Sequence, residues 1–184
     1  MSQSSPLSSE IMDFPPKSRL DRQAYRNGMA RLAAAGKTTA LVLAGYAGWQ
    51  NARLIPPEQR AQLGESLHQL GPVPEADLQA LYAGATVFAF PSFHEGFGLP
   101  VLEAMAAGAP VVASDIPAIR EVAGDAAVLV PPGDVQQWTG ALEDLLASPS
   151  RRAELAEAGR RRAALFPWAS TAAATLEVYK ELVG

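Results

Sequence analysis

Residues 90–108 read FPSFHEGFGLPVLEAMAAG, and this stretch decides the fold. An apolar run ends at Phe90-Pro91, a loop of polar and small residues follows, and the chain enters a helix at Leu99-Pro100. A proline is tolerated there because the first helical N–H groups have no intrahelical partner. Leu99, Leu102 and Met105 fall on one helical face, and Gly108-Ala109-Pro110 supplies a terminating glycine and a breaker. The stretch is a strand, a loop and a helix.

Outward from it, the same grammar repeats. Upstream, LVLAG from Leu41 is a short apolar run ending in glycine, followed by a turn-rich stretch, a helical segment near Glu58 to Leu67, the strand LHQLG and a helix over Glu75 to Ala83 leading into the strand TVFAF. Downstream come the strand PVVAS, a short helix over Ala118 to Val122 and the strand AVLVP. Gly133-Asp134 then offers an N-cap to an amphipathic helix carrying Val135, Trp138, Leu142 and Leu145, in which Trp138 reads as core. Two helices, over Ser150 to Leu165 and Ser170 to Leu182, close the chain. Short apolar strands alternating with helices indicate an α/β fold, a Rossmann-like, doubly wound and mostly parallel sheet covered on both faces. Residues 1–20, rich in Ser and Pro without a period, read as an irregular or flexible lead-in, and 21–184 as one domain. Arg151, Arg152, Arg160, Arg161 and Arg162 resemble a phosphate cluster, but such runs on helices are expected to be solvated faces.

In a parallel sheet, ligands sit at the carboxyl ends of the strands, where the next helix points its free amides into a crevice. Gly96 and Gly98 remove side chains from the turn, so the backbone N–H groups of Gly96, Phe97, Gly98 and Leu99 can approach phosphate oxygens. Glu95 in the loop and Glu103 one turn into the helix are acceptor-only groups suited to sugar or ribose hydroxyls beside a diphosphate. Taken singly, each has a plainer explanation: Glu103 favours a helix N-terminus, Glu95 is a loop charge, and a Gly-x-Gly turn is common where nothing binds. Their combination in one crevice is the signal.

Composition narrows the partners. The chain has 184 residues, 48% of them hydrophobic and 18% charged, and a net charge of −4. This balance removes the electrostatic reason to expect nucleic acid or an anionic membrane. The absence of cysteine excludes disulfides and thiolate metal sites, two histidines argue against zinc, and a reducing cytoplasm is the expected compartment. No apolar run reaches spanning length and no signal peptide is visible, so membrane contact is expected only at the periphery, through a partner domain.

Residues 94–134, HEGFGLPVLEAMAAGAPVVASDIPAIREVAGDAAVLVPPGD, resemble the donor-site signature of family 4 glycosyltransferases, a retaining group with the glycosyltransferase B fold. LVLAGYAGWQ, GPVPEADLQALYAGATVFAFPS and FPWASTAAATLEVYKEL are similar to flanking parts of that domain, so the resemblance covers Leu41 to Gly184. It implies a hexosyltransferase whose donor is a UDP- or GDP-sugar, with no essential metal or other cofactor. It also implies that Glu95 contacts the transferred sugar, the Gly96–Leu99 amides the sugar and diphosphate, Glu103 the ribose, and Val73 the base through its backbone.

Two features of the family pattern are not found. The first strand and its basic glycine loop are missing, with Arg26-Asn27 only a faint counterpart; in the order 3-2-1-4-5-6 that strand is central, so its loss exposes two inner edges. Such edges invite pairing with the N-terminal segment or a second copy, which makes a homo-oligomer one expectation. The N-terminal acceptor domain is missing as well, so the chain is expected to turn over poorly without that domain or a separate subunit. Two other readings stay open: a non-catalytic nucleotide-sugar-binding or assembly module, and a fragment of a nucleotide-sugar epimerase or phosphorylase. The epimerase reading needs acid and base groups that the sequence does not locate, and His94 beside the loop is expected to be incidental.

Overall fold

A computed structural model of the chain describes residues 40–45, 61 and 63–183. The lead-in over 1–20, Arg26-Asn27 and the expected position of the first strand lie outside the described residues, as does most of the helical segment expected near Glu58 to Leu67. The chain divides into two compact units, Met1–Leu78 and Gln79–Gly184.

In the first unit, β1 (Leu41–Ala44) pairs in parallel with β2 (Leu67–Gly71), Leu41 opposite Leu67. A single 3-10 turn, Gly64–Ser66, leads into β2, so Leu67 belongs to a strand and not to the preceding helix. Its side chain starts a run that alternates about a parallel ladder, and the left-handed Gly64 (φ 51°) separates it from the helical residues. The following loop, Pro72 to Pro74, carries Val73, half-buried, and ends at α1 (Glu75–Gly84).

The second unit holds a three-stranded parallel sheet in the order β3-β4-β5, formed by Phe88–Phe90, Val111–Ser114 and Val128–Val130. All four residues of β4 are fully buried, the condition of a central parallel strand covered on both faces. Between the strands run α2 (Leu99–Ala107) and α3 (Pro117–Ala123), and after them α4 (Val135–Ala147), α5 (Pro149–Ala163) and α6 (Trp168–Val183). In each sheet the strands are parallel and follow one another in chain order, as the alternation of strands and helices predicts.

The buried face of α2 is Val101, Ala104 and Met105, not Leu99, Leu102 and Met105. Leu99 is 41% exposed. Nearly every residue of this helix is apolar, so periodicity alone favours no single stripe, and the neighbours choose. One of them is α5, where Gly159 brings its backbone against Met105; a Cβ there would lie 3.3 Å from Met105 Cγ. A mid-helix glycine costs about 0.5 to 1 kcal/mol relative to alanine, and this contact explains its presence. On α4, Leu145 is fully buried and Trp138 packs beside it against Val112 and Val130, donating its indole N–H to the Pro131 carbonyl at 3.3 Å. Val135, expected on the same face, is instead 75% exposed as the first residue of α4, directly after its Asp134 cap.

The arginines of α5 are not simply solvated. Arg152 donates to the carbonyls of Leu145 and Leu146 at 2.6 and 2.8 Å, closing the end of α4. Arg162 donates to those of Val122 and Glu121 at 2.8 and 2.5 Å, closing α3. Arg160 lays its guanidinium over Gly108, the left-handed residue that terminates α2. Three cations of one helix thus lie at the carboxyl ends of three others, where unpaired carbonyls and the negative end of the macrodipole attract them. Arg151 and Arg161 remain exposed, as expected.

Candidate functional site

The carboxyl ends of β3, β4 and β5 open onto one edge of the sheet, and the loop Pro91 to Gly98 lies along it. At its far end Gly98 caps α2 with φ 98°, in the left-handed region. A side chain at Gly98 would also strike Ile119 Cδ1 on α3, so this glycine is required by the fold. Gly96 differs: its φ is not in the left-handed region, and a Cβ added there would meet nothing within 4 Å. Nothing among the described residues explains the missing side chain, whereas a ligand pressed against the backbone would.

Among the described residues, the amides of Gly96, Phe97, Gly98 and Leu99 donate to no backbone carbonyl, while the Gly98 carbonyl accepts from Val101 and Leu102 at 3.0 and 3.3 Å. Four unused donors therefore stand at the positive end of α2. Such a group suits an anion with several oxygens.

The two carboxylates at this edge are each held by a hydroxyl. Ser92 Oγ, shared with the His94 carbonyl at 3.1 Å, donates to Glu95 Oε1 at 2.7 Å. Tyr82 Oη donates to Glu103 Oε2 at 3.1 Å. Burial and the neighbouring Glu103 charge push the Tyr82 phenol well above its ordinary range, so it remains a donor. Ser92 was not singled out from the sequence, although its place three residues before Glu95 was a local signal that could have found it. Tyr82, on another helix, carried no such signal.

Phe97 reaches away from the turn and meets Phe166 edge-on, 6.1 Å between centroids at 78°. The guanidinium of Arg162 lies 5.0 Å over the Phe166 ring, so the arginine that closes α3 also backs the phenylalanine that steadies the turn. On the other side Phe93 rests on Gly133 in the loop after β5, within 3.6 Å of where a Cβ would stand. Arg120 is bound to Asp115 at 2.6 Å, at the end of β4.

Of the expected site residues, Glu95, Gly96, Phe97, Gly98, Leu99 and Glu103 belong to one loop and the helix it opens, all within the second unit. Val73 belongs to the first unit. Among the described residues, no group of three or more His, Cys, Asp or Glu is arranged to hold a metal ion, and no helix is long and apolar enough to cross a membrane.

The family described as glycosyl transferases group 1 matches residues 27–162. O-antigen chain mannosyltransferase B of Escherichia coli is 39% identical over 142 residues, covering 77% of this chain and 37% of that protein. MMP alpha-(1->4)-mannosyltransferase of Mycolicibacterium hassiacum is 44% identical over 129 residues, 67% of this chain and 31% of that one. A D-inositol 3-phosphate glycosyltransferase of Kineococcus radiotolerans is 37% identical over 159 residues, 78% and 36%. The chain thus spans about a third of the length of these relatives. Among solved structures, sucrose-phosphate synthase from Thermosynechococcus elongatus is similar with a TM-score of 0.72 at 30% identity, over 89% of this chain and 43% of that one. The C-terminal domain of a glycosyl transferase group 1 family protein from Francisella tularensis shares the fold with a TM-score of 0.62 at 22% identity, over 82% and 80%. The α/β fold is that of the C-terminal domain of a glycosyltransferase B enzyme.

Proposed function

The chain belongs to the glycosyl transferases group 1 family, and we propose that it is the donor-binding domain of a retaining hexosyltransferase that takes a UDP- or GDP-sugar. In this reading the Gly96–Leu99 amides receive the diphosphate, Glu95 accepts from hydroxyls of the transferred sugar, and Glu103 accepts from the ribose. The Val73 backbone meets the base. The diphosphate departs into hydrogen bonds already in place at the start of α2, which lower the cost of its developing charge without a metal. The observation that carries the reading is Gly96, where among the described residues a Cβ would meet nothing within 4 Å and the amide, like the three that follow it, donates to no backbone carbonyl.

The chain spans about a third of its relatives' length, and α6 leaves Trp168, Leu176, Tyr179 and Leu182 between 52% and 77% exposed. Both facts support a donor half that transfers sugar only together with residues beyond these 184, in an acceptor domain or a separate subunit.

Titration calorimetry of the chain with UDP, GDP and their common sugars tests the reading. Selective binding is expected, weakened about 10-fold or more by Glu103→Ala, the scale of a lost charge-assisted hydrogen bond. A folded chain that binds none of them, or binds equally after the substitution, would contradict it.

A further inference from the structure

Tyr82 has no part in the donor-site reading so far, yet it is 6% exposed and spends its hydroxyl on a carboxylate at the ligand edge. Its ring is fixed from the opposite side: Tyr82 meets Phe88 edge-on at 5.1 Å and 89°, and Phe88 stacks with Phe90 along β3 at 6.1 Å. The phenol is therefore a donor on a rigid mount.

Glu103 is exposed on α2, and an unrestrained glutamate there would give up rotamer freedom on binding a ligand. A donor that occupies Oε2 selects one rotamer in advance. Among the described residues Oε1 has no partner, and a carboxylate oxygen with free lone pairs suits the paired O–H donors of a ribose diol.

We propose that Tyr82 is a positioning residue of the donor site, whose hydroxyl presets the Glu103 carboxylate to accept the ribose diol of a nucleoside diphosphate. The inference rests on the reading of Glu103 as the ribose-binding carboxylate. Tyr82 touches no substrate; it acts through Glu103 alone.

Calorimetry of the full chain with UDP and GDP, and with their dideoxy analogues that lack the ribose diol, separates the two ideas. Tyr82→Phe keeps the ring and its packing while removing only the O–H. It is expected to weaken the preferred parent nucleotide by about 2- to 10-fold, the worth of one hydrogen bond, and to leave the dideoxy analogue unchanged. In a Glu103→Ala background Tyr82→Phe should have no further effect on affinity, since the two residues act as one unit. A Tyr82→Phe chain that binds parent and analogue as the unsubstituted chain does, or weakens both alike, would overturn the positioning role while Glu103→Ala still discriminates the diol. If Glu103→Ala does not discriminate it, or if the folded chain binds no nucleotide, both the role of Tyr82 and the ribose reading fall.

Discussion

Gly96 and Gly98 stand two residues apart in one turn and have opposite reasons for being glycine. Gly98 is held at φ 98° with Ile119 in the way of a side chain, so Gly98→Ala is expected to lower stability by about 1 to 3 kcal/mol in a thermal or denaturant melt. Gly96→Ala should stay within about 0.5 kcal/mol of the original, because its Cβ would enter open space. The sequence presented both as phosphate-approach glycines, and only the backbone geometry separates the structural one from the one a ligand would need. Glu95 and Glu103 were legible as two carboxylates of one loop and the helix it opens. Their fixing groups were not read from the sequence: Ser92 lies three residues from Glu95 and left a local signal that went unused, whereas Tyr82 and Glu103 are 21 residues apart and meet through the fold.

At the scale of elements, the alternation of strands and helices read directly from the sequence, since each apolar run and each glycine or proline stop is a local property. The facing of the elements did not. α2 is apolar apart from Glu103 and its buried stripe is chosen by Gly159 and the sheet, and Arg162 of α5 finds carbonyls of a helix distant in sequence. Arg162→Ala is expected to cost about 1 to 3 kcal/mol in a melt, with Arg162→Lys restoring only part, because an ammonium lacks the forked donors that reach Glu121 and Val122 together. Gly159→Val should cost about 1 to 3 kcal/mol by forcing α5 away from Met105. Asp134 caps α4 by accepting from the Gln137 amide at 3.0 Å, and that bond with the Gln137 side chain holds its carboxyl below the usual range. A carboxyl so depressed stabilises the fold above its unfolded pKa of about 3.9 and loses that contribution as the pH falls through the folded value. Asp134→Ala should therefore lower the melting temperature at neutral pH, with the difference closing in acid.

For the molecule as a whole, burial is concentrated around β4, α2 and α3, while α6 has no buried residue among those described. Hydrogen exchange should register this contrast, with α6 amides exchanging through local opening well before those of α2. Which sugar and which base are taken was not legible, because those choices depend on pocket shape and on residues outside the matched loop. The proposal that a nucleotide diphosphate lies against the bare backbone at Gly96 is open to a direct test by Gly96→Val. Nucleotide affinity and melting temperature are measured on the same preparation. A melting temperature close to that of the original chain is expected, with binding reduced 10-fold or more, the size of about 1.4 kcal/mol. Undiminished binding by the folded variant would contradict it.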